Sequence, residues 1–137
     1  MKKFNLFSNK ALAALLLLIP ICLVLTNCKN AGKKSIKSQA IDSVYFAGKL
    51  KLTDTAINHT FYIKSIGNAD LSIDSVAASC SCVNISWQKT PIKPGQKGFI
   101  NVTVKPSLKS KGKLMQYVMV RTNSTTPLSV YQIFFIK

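Results

Sequence analysis

Glutamate is absent from this 137-residue chain, and its only carboxylate side chains are Asp42, Asp54, Asp70 and Asp74. Four dispersed aspartates offer no neighbouring pair for general acid and base work, which argues against a two-carboxylate hydrolase. His59 is the single histidine, and no Ser-His-Asp or Cys-His arrangement is nominated around it. Long apolar runs are missing too: the longest, Ala11 to Leu25, falls below the ~20 residues needed to span a bilayer. There is no helix-turn-helix, zinc-finger or RNP-like pattern. Beyond the first apolar run no stretch has a helical period. These absences point away from enzymes and from nucleic-acid-binding proteins.

What is present begins with Lys2, Lys3 and Lys10 ahead of the apolar run and Leu25-Thr26-Asn27-Cys28 behind it. A basic head, an apolar middle and a polar exit have the physics of a secretory signal. Pro20 in mid-run disfavours a stable spanning helix. The tetrad ending in Cys28 resembles a lipobox, in which the cysteine is freed by the leader peptidase and acylated. That resemblance implies a bacterial lipoprotein: residues 1–27 are a leader, and Cys28 is the lipidation site. The lipid would be a diacylglycerol and usually an amide-linked acyl chain such as palmitate. One acyl chain holds a protein only marginally, and stable anchoring takes two or more. Lys29, Lys33, Lys34 and Lys37 follow the cysteine, where surface-exported lipoproteins of Bacteroidota-type bacteria often carry acids. The expected location is therefore the cell envelope, lipid-anchored to a membrane and facing the periplasm.

Loss of the leader removes three lysines and lowers the formal charge from +15 to +12. The stretch Lys89 to Lys137 contains no carboxylate, so part of the surface should carry a field of one sign. In an envelope, anionic headgroups or acidic polysaccharide suit such a field. The expected partners are membrane lipid through acylated Cys28 and either an envelope protein or an anionic glycan, with no nucleic acid. Lys29 to Ala40, KNAGKKSIKSQA, is too polar to repay ordering entropy, which predicts a flexible basic tether over 28–41. Residues 42–137 suit one small domain with a single core.

Seven β-rich segments bounded by turn residues follow: Val44 to Leu52, His59 to Ile66, Leu71 to Val76, Cys82 to Trp87, Gly98 to Lys105, Leu114 to Thr122 and Leu128 to Ile136. Two show clear period-two alternation, with Ile57, His59, Phe61 and Ile63 on one face and Ile100, Val102 and Val104 opposed to Asn101 and Thr103. Regular spacing predicts an all-β, immunoglobulin-like antiparallel sandwich of about seven strands. Asn58 to Cys82, NHTFYIKSIGNADLSIDSVAASCSC, then Trp87, Pro91 to Gly98 and Ile100-Asn101-Val102, resemble the domain of unknown function family 1573. Its pattern is a Phe-rich strand, an Asn-(Thr)-Gly turn, a Leu-x-Ile strand, a Ser-Cys-Gly-Cys segment, then Pro-Gly-x-x-Gly and an apolar strand; here Ser65 stands at the turn asparagine and Ser81 at the glycine between the cysteines. The resemblance implies an immunoglobulin-like, Hydin-like sandwich, often exported as a lipoprotein.

Cys80 and Cys82 are the one chemically suggestive constellation. Residues i and i+2 of a strand have Cα atoms ~6.6 Å apart, near the upper limit for a disulfide, so a bridge requires a kink. Three readings are open: a structural pair, a labile bridge that exchanges disulfides, or two soft thiolates holding Cu(I) with His59, Met115 or Met119. Trp87 is expected to pack over the pair and offers a candidate ligand patch. Ser43, Thr55 and Ser75 stand in Asp-Ser/Thr-aliphatic triplets resembling O-glycosylation sites of Bacteroidota-type exported proteins. The leading expectation is a non-enzymatic envelope lipoprotein whose domain binds protein or glycan or has a structural role, without cofactor. The alternative is a thiol protein handling copper or disulfides through Cys80-Ser81-Cys82.

Overall fold

The computed structural model describes residues 32–107, 109 and 111–137, so the expected leader and Cys28 lie outside it. Eight strands form: β1 (Ser38–Ile41), β2 (Val44–Lys49), β3 (Ile57–Ser65), β4 (Ile73–Ala78), β5 (Val83–Trp87), β6 (Lys97–Val104), β7 (Lys113–Thr122) and β8 (Leu128–Ile136). They build two four-stranded sheets, ordered β1-β3-β6-β5 and β2-β8-β7-β4. The alternation read from the sequence decides which side faces in. Phe61, Ile63, Ile100, Val102 and Val104 from the first sheet meet Val118, Val120, Tyr131, Ile133 and Phe135 from the second, all essentially inaccessible to solvent. Burying such side chains is the main term that holds a sandwich together, at roughly 1.5–3 kcal/mol each.

Two expectations are corrected. The first is the boundary of the tether, whose last residues are ordered. Ile66 N–H donates to the Lys37 carbonyl, Asn68 N–H to the Ser35 carbonyl and Thr125 N–H to the Ile36 carbonyl, each at 2.9–3.0 Å. Ile36 packs against the core, and Ser38–Ile41 pairs antiparallel with β3. Composition cannot show this, because the attachment is made by main-chain groups that every residue carries. Gly67 makes the close approach possible: a Cβ there would overlap the backbone of Ser35 and Lys37.

The second correction concerns strand direction. β1 and β2 are one extended run that crosses between sheets at Asp42, whose φ of 48° lies in the left-handed region that aspartate tolerates. On arriving in the second sheet the chain still runs the same way, so β2 pairs parallel with β8 while the other pairings are antiparallel.

The entry side of the sandwich is tied by hydroxyls. Ser38 Oγ lies 2.9 Å from Ser124 Oγ, which lies 2.9 Å from Thr122 Oγ1 and donates to the Thr126 carbonyl at 2.7 Å. Ser124 and Thr122 are buried, so these bonds satisfy groups that would otherwise lose their hydration.

Candidate functional site

Cys80 and Cys82 sit in the turn between β4 and β5 and form a disulfide with Cα atoms 5.2 Å apart. The separation is shorter than in a strand because the chain turns here: Val83 N–H donates to the Cys80 carbonyl at 3.3 Å. Gln116 Oε1 lies 3.3 Å from Cys80 Sγ and accepts from Ser79 Oγ at 2.7 Å. The first is a contact rather than a hydrogen bond, since disulfide sulfur carries no hydrogen. Both cysteines pack against the core. Closing so small a loop constrains the unfolded chain by about 1.6 kcal/mol in the chain-entropy relation, modest beside the core.

The thioether and imidazole groups expected beside this pair lie on two different strands, β7 and β3. Met115 and Met119 are exposed residues of β7. His59 lies on β3, two strands from β5 across β6, with Val102 between it and Ile85 in register. Among the described residues no group of three or more His, Cys, Asp or Glu side chains is placed to share a metal ion.

His59 instead bridges the sheets. Its ring stacks on Tyr45 of β2 at 3.7 Å and meets the edge of Phe61 at 4.6 Å, and Phe61 in turn packs on Tyr131 at 4.9 Å. Burial holds the imidazole below its ordinary pKa, with the nearby Asp42 carboxylate opposing that shift. Between pH 6.5 and the lowered folded value, the unfolded chain binds a proton that the folded chain does not, so stability falls as pH falls through that window. Urea midpoints are therefore expected to drop between pH 7.5 and 5.5, and His59→Phe, which keeps an aromatic ring against Tyr45, is expected to flatten the dependence. Equal slopes in both proteins would show that His59 is not the titrating group.

Trp87 is half-buried at the end of β5, pointing inward beside Ile100 and packing against the core. Lys89 Nζ lies 3.1 Å from its ring centroid, in cation–π range. Its Nε1 is buried without an acceptor. The ring is thus an inward-facing edge of the core capped by a lysine. Of the triplet hydroxyl residues, Thr55 and Ser75 are exposed and Ser43 is half-buried.

The more extensive surface is one the sequence reading did not single out, the outer side of the β1-β3-β6-β5 sheet. Register stacks it in tiers. Asn58 and Asn84 flank Thr103; Thr60 and Ser86 flank Asn101; Tyr62 faces Phe99; Lys64 faces Lys97. The polar tiers are already cross-linked, with Thr60 Oγ1 donating to Asn101 Oδ1 at 2.9 Å and Thr103 Oγ1 to Asn58 Oδ1 at 2.8 Å. Tyr62 and Phe99 are 44% and 39% exposed, large values for paired aromatic rings on a strand face. No carboxylate occurs in any of the four strands. The two lysines therefore oppose each other unneutralised, an arrangement that costs stability. The signal was present as the polar half of the period-two pattern, but only strand pairing brings the four segments into one plane.

These observations define an immunoglobulin-like β-sandwich with a disulfide-bonded turn and an open amide, hydroxyl and aromatic face. The chain belongs to the family described as Protein of unknown function (DUF1573), whose model matches residues 39–134. No curated protein matches it. Among solved structures it is similar to a protein of unknown function from Porphyromonas gingivalis W83, with TM-score 0.65, 16% identity and 81% of this chain covered. It is also similar to the Vibrio cholerae VesB protease, with TM-score 0.60, 12% identity and 85% coverage. A third likeness is the ASH/PapD-like domain 7 of human CEP192, with TM-score 0.58, 10% identity and 80% coverage. The match spans 51% of the Porphyromonas chain, 35% of the protease and 91% of the human domain. At these identities the likeness is one of fold.

Proposed function

We propose that the protein is a non-enzymatic cell-envelope lipoprotein, tethered through acylated Cys28, whose sandwich binds an anionic glycan on the outer face of the β1-β3-β6-β5 sheet. The observation that carries this reading is the tiered face itself. Sugar rings present apolar C–H faces and a rim of hydroxyls. Tyr62 and Phe99 supply a platform for the former, and the Asn, Ser and Thr tiers supply donors and acceptors for the latter. Lys64 and Lys97 would take the carboxylate or sulfate of an acidic residue, relieving their mutual repulsion. The internal hydrogen bonds hold the polar side chains in place before a ligand arrives, which lowers the entropy cost of binding.

Affinity electrophoresis in gels containing polygalacturonate, with neutral dextran as control, tests the reading. Retardation by the acidic polymer is expected. Tyr62→Ala and Phe99→Ala should each weaken it about tenfold, the equivalent of ~1–1.5 kcal/mol for a lost ring. Lys64→Gln with Lys97→Gln should abolish the preference for the acidic polymer. Mobility that ignores all four substitutions would remove this face from consideration.

A further inference from the structure

The opposite side of the sandwich carries a different surface, and it supports an inference independent of the glycan reading. At one end of the β2-β8-β7-β4 sheet is a cavity of about 450 Å³ lined by Phe46, Lys113, Leu114, Phe134, Phe135 and Ile136. Pairing register organises its surroundings into two rows. Phe46 faces Phe134, which faces Met115, giving an apolar row across three strands; two residues away along β7 and β8, and three along β2, Lys49 faces Ile136, which faces Lys113, giving a row with a cation on each flank. Strand spacing sets the rows ~7 Å apart. The pairing of β2 shifts register between Phe46 and Lys49, around Gly48 with φ of 81°, so the edge strand bends where the cavity opens.

More cations converge at this end. Lys51 follows β2, Lys105 and Lys111 lie in the connection from β6 to β7, and Lys137 follows β8, its backbone paired both ways with Gly112. The side-chain carboxylate in these connections is that of Asp54, which already accepts from Lys51 N–H at 2.8 Å. Phe46 is 62% exposed although it fronts an apolar cavity, which is an unfavourable state for a ring with nothing against it.

From these observations we infer that the cavity binds the acyl chain of an anionic amphiphile, a long-chain carboxylate, with its head between Lys49 and Lys113. An apolar concavity bordered by paired cations and short of carboxylates complements a molecule with a chain at one end and a negative charge at the other. A second copy of this chain would bring lysine row against lysine row. The outer side of this sheet also exposes Val44, Met119, Leu128 and Val130, which a bilayer would cover as well; the concavity flanked by Lys49 and Lys113 favours a single chain with one charged head, and the vesicle arm of the test separates the two.

The test is photolabelling of the full chain with a photoreactive palmitate, mapped by peptide mass spectrometry. Adducts are expected on the peptides containing Phe46 and Leu114 to Ile136, competed by oleate and about tenfold less by its methyl ester. Phe46→Ala, at an exposed position that leaves the unfolding midpoint unchanged, should lower labelling about tenfold. Lys113→Gln should lower labelling while abolishing the advantage of oleate over the ester. Four outcomes would overturn the proposal: adducts spread equally over both sheet faces, competition by inorganic phosphate as strong as by oleate, labelling indifferent to Phe46→Ala, or labelling seen only when phosphatidylglycerol vesicles are added.

Discussion

Phe61→Ala is expected to lower the free energy of unfolding by about 3–5 kcal/mol and the melting temperature by more than about 15 °C. Phe61 is 1% exposed and stands in the middle of the inner face of its sheet, beside Ile100. It is the link between His59 and Tyr131 in the aromatic contacts that cross from one sheet to the other. Removing the ring leaves a hole between two sheets whose separation is set by their remaining side chains, so the site cannot collapse to fill it. Tyr131 makes the loss larger. It is fully buried, and its hydroxyl donates to the Tyr62 carbonyl on the facing sheet at 3.2 Å. That bond aims Tyr131 across the core, and without Phe61 beside it the phenol loses its lateral support. Burial has pushed its pKa well above the usual phenol range, so it stays a neutral donor at all relevant pH. Since small domains have only 5–15 kcal/mol of total stability, the variant should be close to unfolding at growth temperature. Phe61→Leu, which fills more of the volume, should lose less than half as much; equal losses in chemical denaturation would mean that ring contacts rather than volume set the cost.

The inner faces were legible because burial and period coincide there. Ile57, Phe61 and Ile63 on β3 and Ile100, Val102 and Val104 on β6 are all buried, as their alternation with polar residues predicts. The seven expected segments all appear as strands, with ends displaced by a few residues. β1 was missed because Ser38–Ile41 has neither alternation nor a run of branched residues; it is a strand because its main chain completes the edge of β3. The Cys80–Cys82 bridge was legible as a geometric condition, a kink, which the turn at Val83 meets. The surface tiers were not legible. Tyr62 and Phe99 are 37 positions apart and become neighbours only through register, which depends on the whole hydrophobic pattern of both strands.

Cys28→Ser is expected to abolish incorporation of labelled palmitate completely and to leave residues 1–27 attached, visible as an increase in the mass of the polypeptide. In the proposed lipidation the loss is all-or-none, because the neutral hydroxyl of serine is a far weaker nucleophile than the thiolate that would receive the diacylglycerol. The physical consequence is anchoring: each buried methylene of an acyl chain contributes ~0.8 kcal/mol, and two or more chains are needed for a stable hold. Within the described residues no helix is long and apolar enough to cross a membrane. The ordered attachment of Ser35 to the turn at Asn68 shortens the free tether that composition suggests. From Cys28 to Ser35 the chain can reach at most ~25 Å when fully extended. If Cys28 is the anchor, a domain on so short a leash would sample a thin layer above the lipid, where the proposed glycan face and acyl-chain cavity would meet their ligands at high local concentration and weak intrinsic affinity would suffice. Lengthening the segment before Ser35 with a Gly/Ser insert should leave labelling of Cys28 intact while reducing capture of membrane-associated ligands. Palmitate incorporation that persists in Cys28→Ser would remove both the anchor and the layer it defines.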